Sequence, residues 1–161
     1  MNHEVIFRGI LAATFALLTI IRVYYARRAG RAGEKGSAER ASGGSTTLLW
    51  LLNSLAAVVT LLYLVAPRWV RWAALPMPVW LRWTGGALGL VTVLLFLWVH
   101  HALGENWSTS VDTKEQHALV TSGPYRWVRH PMYTTMYVWA IAFFLLSANG
   151  LIGIAWLALS V

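Results

Sequence analysis

The sequence predicts an all-α, polytopic integral membrane protein with about five transmembrane helices, the last one truncated. Three observations predict it. Of 161 residues, 58% are hydrophobic and only 12% charged, where a soluble domain carries about 25% charged residues. Most of the apolar residues fall into runs of about bilayer length, separated by more polar connections. Ten tryptophans in so short a chain suggest interfacial aromatic belts. There is no cysteine, so disulfides, thiolate nucleophiles and cysteine-ligated metals are excluded. A net charge of +7 raises the question of nucleic acid. The basic residues sit at the ends of apolar runs, which identifies them as topology signals and anionic-lipid contacts and gives no nucleic-acid partner.

The chain reads as one domain over residues 1–161. The first run, Val5 to Tyr25, matches the roughly 20 residues that cross a bilayer. It is too long for a signal peptide, its start is not basic, and Arg27-Arg28 follow it. Arg8 and Arg22 lie near its ends, placed to snorkel to the interface. Residues 26–46 read as a flexible hydrophilic loop. Arg27, Arg28, Arg31, Lys35 and Arg40 stand there against Glu34 and Glu39, which marks the loop as cytoplasmic. The second span covers residues 47–66, with Asn53 and Ser54 available for interhelical hydrogen bonds. Pro67 ends it. The Arg68-Trp69-Val70-Arg71-Trp72 stretch reads as headgroup-level anchoring in preference to a nucleic-acid stacking platform.

The third span covers residues 79–101, where Gly85, Gly86 and Gly89 make a small-residue face for close helix contact. His100 and His101 point about 100° apart on a helix and cannot easily share a metal; no metal site is expected. Residues 102–130 form a cytoplasmic connection. A fourth span covers 131–147. Ser147-Ala148-Asn149-Gly150 predicts a tight turn with Asn or Gly in the left-handed position. The fifth run, 151–161, rises only about 17 Å, so residues 156–161 are expected to be loosely anchored.

The stretch from His117 to Thr135 is what core packing does not explain. It holds two His, two Arg, two Tyr and two Pro directly ahead of an apolar run. Gly123-Pro124 predicts a turn. Pro131 suits the first position of a helix, and His130 before it is driven out of the helical region. The unpaired amides of that first turn favour an anionic group.

The pattern Gly-Pro-Tyr-Arg-x-Val-Arg-His-Pro-Met-Tyr over residues 123–133 resembles the isoprenylcysteine carboxyl methyltransferase family. His117-x-Leu119-Val120-Thr121-Ser122 precedes it, and Leu103-Gly104-x-Asn106-Trp107-Ser108 lies further back. The resemblance covers about residues 103–150, and phospholipid N-methyltransferases share a looser form of it. It implies a membrane enzyme that uses S-adenosylmethionine. Carried over residue by residue, the cofactor contacts fall on His117, Ala118, Leu119, Val120, Tyr125, His130, Pro131, Met132 and Tyr133. It names no catalytic residue in this chain. Two departures stand out. Thr135 occupies a position where the family has Gly. The family also continues past its fifth span with an Arg, an acidic pair and a Phe-Gly-x-x-Tyr element that these residues do not contain, so this chain alone is expected to be nearly inactive.

The implied function is a membrane-embedded S-adenosylmethionine-dependent methyltransferase. Its acceptor is lipid-linked, in the first place the carboxylate of an isoprenylcysteine-like molecule. The alternatives are a phospholipid N-methyltransferase and a non-catalytic truncated relative. Methyl transfer from a sulfonium requires alignment and exclusion of water more than acid–base chemistry, which agrees with the lack of a carboxylate pair. A cytosolic donor and a lipidic acceptor place the site where the 102–130 segment meets the bilayer on the cytoplasmic side.

Overall fold

A computed structural model describes residues 3–31, 44–103, 123–128 and 130–160. They form five α-helices and two short 3₁₀ helices: α1 (His3–Arg31), α2 (Gly44–Val65), α3 (Val79–Leu103), α4 (Pro131–Ser147) and α5 (Gly150–Ala158), with the 3₁₀ segments at Pro67–Ala73 and Gly123–Arg126. Among the described residues the molecule is all-helical, as expected.

Of the five predicted spans, two or three meet the length and composition of a membrane span. Among the described residues two helices are long and apolar enough to cross a membrane, His3–Arg28 and Val79–Ala102. A third qualifies if Trp50–Val65 is joined to Pro67–Ala73 across a 112° bend. The bend has a direct cause. Proline removes the N–H that the helix would need, and Ala66 ahead of it leaves the helical region at φ −136°. Beyond the bend, Trp69 and Trp72 lie exposed while Val70 is buried, as expected of a segment lying along an interface. α4, with 17 residues, reaches about 25 Å, and α5 has only 9.

One boundary shifts. α1 continues to Arg31, past the predicted start of a loop at residue 26. Nothing in Ala26-Arg27-Arg28-Ala29 breaks a helix, so it runs on into the polar phase. The rest of that loop, residues 32–43, lies outside the described residues.

The outer faces are hydrocarbon-like. Ile20 and Val23 on α1, Leu51 and Leu55 on α2, and Leu90 and Leu94 on α3 are all exposed, a surface that monomeric soluble proteins do not present. Inside, Phe7 and Leu11 of α1, Val59 of α2, Phe143 and Leu146 of α4 and Ile152 of α5 form one core. Between helices in lipid, close packing replaces hydrophobic exclusion as the main force. The expected small-residue face supplies it. A Cβ on Gly85 would lie 2.7 Å from Leu145 Cβ and 2.8 Å from the Leu146 backbone nitrogen, and one on Gly89 would lie 3.2 Å from Thr14 Oγ1. α3 thus approaches α4 and α1 through bare backbone.

A polar clamp fastens the end of the bundle away from the motif. Arg82 of α3 pairs with Glu4 of α1 at 2.6 Å and donates to the Leu146 carbonyl at the end of α4 at 2.8 Å. It also lies 4.3 Å over the Phe7 ring, and Tyr63 of α2 donates to Glu4 at 2.7 Å. Arg8, expected to snorkel, instead donates to the Leu64 carbonyl.

The α4–α5 turn corrects the sequence expectation. Ala148 holds the left-handed conformation, at φ 46° and ψ 42°. Asn149 is extended because it caps α5, accepting from Leu151 N at 3.1 Å and Ile152 N at 3.3 Å. Its amide also donates to the Val70 carbonyl at 2.8 Å. An N-cap residue needs extended backbone, so the strained conformation falls one residue earlier.

The end of the described chain is likewise firmer than expected. Trp156 is buried, donates to Thr60 Oγ1 at 3.0 Å and stacks on Trp139 with centroids 4.7 Å apart. Leu159 and Ser160 are buried too. The short run is anchored by α2 and α4, which offsets its lack of length.

Candidate functional site at the start of α4

The site residues begin with a turn that only glycine allows. Gly123 has φ +62°, and a Cβ there would meet Ala102 at 3.1 Å. Both the conformation and the contact require a bare backbone. The turn buries Pro124 against α3, and its carbonyl accepts from Trp127 N and Val128 N, each at 3.1 Å. Tyr125 is half-buried on this turn. Burial raises its phenol above the usual tyrosine range, so it stays neutral at any physiological pH.

His130 sits at φ −131° and ψ 67°, outside the helical region as the following proline demands. Pro131 is the first residue of α4, as the sequence predicts. The His130 side chain makes no capping hydrogen bond, so among the described residues the first-turn amides of Met132 and Tyr133 carry no side-chain cap from it, an arrangement that suits an anionic group. The rings of His130 and Tyr133 meet edge to face with centroids 5.9 Å apart, forming an exposed aromatic wall beside that helix start. These features fit the carboxylate end and the cationic or aromatic parts of a sulfonium nucleoside.

Two cavities lie on different faces of α4. One, of about 240 Å³, is lined by Trp98 and Val99 of α3, Pro124 and Trp127 of the turn, and Pro131 and Thr135 of α4. Its lining is almost wholly apolar. The Thr135 hydroxyl is spent on the Pro131 carbonyl at 2.9 Å, so Thr135 presents its methyl group there. The other, of about 340 Å³, is bordered by Met132, Met136 and Trp139 of α4, with Arg22 of α1, Asn53 of α2 and Trp156 of α5 among the facing residues. Its floor is aromatic and its rim polar.

The structure therefore divides the predicted contacts. Pro131 faces the first cavity and Met132 the second, because consecutive helical residues point about 100° apart. Tyr125, His130 and Tyr133 line neither of these two cavities. His117, Ala118, Leu119 and Val120 lie outside the described residues, as does Arg129. The sequence reading missed the α1 and α2 walls of the larger cavity. Its signal was present in Arg22, a charged residue inside an apolar run, which was read as an interface anchor.

His100 is fully buried, with Nδ1 2.8 Å from the Phe96 carbonyl and its ring 5.2 Å from that of Tyr25. His101 is exposed. The two point apart as expected. Among the described residues no group of three His, Asp or Glu side chains could hold a metal ion.

Fold and site together describe a helical protein with two, or up to three, described segments long and apolar enough to cross a membrane, and with Tyr125, His130 and Tyr133 at or near the start of α4. The family model for the isoprenylcysteine carboxyl methyltransferase (ICMT) family matches residues 87–161, so the resemblance to that family is shown over the second half of the chain. Protein-S-isoprenylcysteine O-methyltransferase of Mus musculus is 32% identical over 89 residues, 54% of this chain and 31% of the relative. The Homo sapiens protein of the same name matches with the same identity and coverage. The match thus spans about a third of the length of these curated relatives.

Proposed function

We propose that the protein is a membrane-embedded methyltransferase that takes its methyl group from S-adenosylmethionine and delivers it to the carboxylate of a lipid-linked, isoprenylcysteine-like acceptor. The observation that carries this reading is the family match over residues 87–161, which contains the motif helix α4 and all of its cavity-facing residues. The names of the two relatives support the acceptor class.

The uncapped start of α4 receives the donor's carboxylate, and His130, Tyr133 and Tyr125 pack against its nucleoside and sulfonium. By the resemblance, His117, Ala118, Leu119 and Val120 are further donor contacts. The donor supplies a methyl group already activated on a sulfonium, so a carboxylate acceptor needs no general base. What remains for the protein is to align the two molecules and keep water out, and a misplacement of about 1 Å can cost roughly a hundredfold in rate. The larger cavity, reached from Met132, takes the acceptor. Arg22 at its rim suits an acceptor that carries an anionic group. The site segment 102–130 faces the cytoplasm, where the donor is found.

The experiment is a transfer assay in lipid with radiolabelled S-adenosylmethionine and an S-farnesylcysteine analogue. Because the match spans only part of the relatives' length, the chain is assayed alone and fused to the remaining C-terminal segment of a relative. Base-labile label in the farnesylated acceptor supports the reading. Label in phospholipid amines supports the alternative, and label in neither, in both forms, overturns it.

A further inference from the structure

The larger cavity has an unusual distribution of charge. Its floor is aromatic, with Trp156 buried and stacked on Trp139. Arg22 and Asn53 stand exposed at its rim. Arg22 is the only charged side chain among the described residues that line it. It lies six residues before Arg28, the end of the span-length segment of α1, or about 9 Å inside that end. A cation at that depth in an apolar run normally faces a cavity or a partner. Nothing in the family match concerns it, since α1 precedes residue 87.

A hydrocarbon floor, a cationic rim and no acidic lining residue among those described describe the complement of an amphiphile with an anionic head. We propose that Arg22 is the residue that binds the acceptor's carboxylate, with the acceptor's apolar chain laid against Trp139 and Trp156. The inference rests on the methyltransferase reading and names the residue that fixes its acceptor. Arginine suits the task because its planar guanidinium matches a carboxylate with two parallel hydrogen bonds. Met132, at the start of α4, borders the same cavity, so a carboxylate held from α1 is turned toward the motif. The methionine end of the donor carries a carboxylate as well, and the test separates the two sources.

The protein in lipid nanodiscs is titrated with S-farnesylcysteine in free-acid and methyl-ester forms, read by the fluorescence of the lining tryptophans. S-adenosylhomocysteine is titrated in parallel by calorimetry. The wild type binds the acid at least about tenfold more tightly than the ester, the scale of one charge-assisted contact. Arg22→Gln abolishes that preference without changing the affinity for the ester or for S-adenosylhomocysteine, and Arg22→Lys restores part of it. A wild type that does not distinguish acid from ester overturns the proposal without recourse to any variant. So does an Arg22→Gln protein that keeps the preference, or one that loses S-adenosylhomocysteine instead. Because the assay needs no turnover, an Arg22-dependent preference in a protein that transfers no methyl group would overturn the methyltransferase reading alone.

Discussion

Trp156 of α5 donates its indole N–H to Thr60 Oγ1 of α2 at 3.0 Å, across 96 positions of sequence. Thr60 in turn donates to the Ala56 carbonyl at 2.8 Å, so the pair is satisfied inside the bundle. Thr60→Val leaves the buried indole N–H without an acceptor and is expected to cost about 1–3 kcal/mol. Trp156→Phe in addition removes the orphaned donor, so the double variant should lose less than the two single losses added together. A double-mutant cycle of thermal unfolding in detergent checks this. Strict additivity would mean that the bond contributes nothing.

The helix contacts make a sharper distinction. Gly85→Ala drives a methyl group into the α4 backbone and should destabilise by about 1–3 kcal/mol. A Cβ on the neighbouring Gly86 meets nothing closer than 3.8 Å. Gly86→Ala should therefore gain up to about 1 kcal/mol of helix propensity. Equal effects in a denaturation series would show that α3 does not pack on α4 through this face.

Ala148 carries the one positive φ found at a non-glycine residue among those described. Its position is enforced from both sides, by its own N–H to the Phe144 carbonyl at 2.9 Å and by Leu75 N to its carbonyl at 2.7 Å. Ala148→Gly removes a left-handed strain of about 1–2 kcal/mol and should raise the unfolding midpoint. A lowered midpoint would contradict the assigned conformation.

These cases show what was legible in the sequence. Pro131 announced the start of α4 because a proline's lost N–H and fixed φ act locally. Gly85 and Gly89 announced a contact face because their spacing repeats once per helical turn. Ala148 and Trp156 were misread because their conformations are fixed by groups far along the chain. Val70 holds Asn149 at a separation of 79 positions, and Thr60 holds Trp156. The motif was equally local, and its helix start was read correctly. Its division between two cavities depended on which helices stand on either side of α4, which no local pattern records. Arg22 became a candidate only once Met132, Trp139 and Trp156 were seen to face it.

The basic residues at 27–40 predict orientation as well. With the 26–46 segment cytoplasmic, a cysteine at Ser37 is protected and one at Met77 is accessible from outside intact cells. An impermeant thiol reagent should label Met77→Cys and not Ser37→Cys. The reverse pattern would invert the topology and put the α4 motif on the wrong side of the membrane for a cytosolic donor.

The central claim is that the start of α4 holds the methyl donor, and calorimetric titration with S-adenosylhomocysteine tests it most directly. His130→Ala and Tyr133→Ala should each weaken binding by more than about 1 kcal/mol, the scale of one lost hydrogen bond. Trp98→Ala, on the apolar cavity at the other face of α4, should leave it unchanged. Unaltered affinity in both motif variants, or a loss confined to Trp98→Ala, would contradict the account.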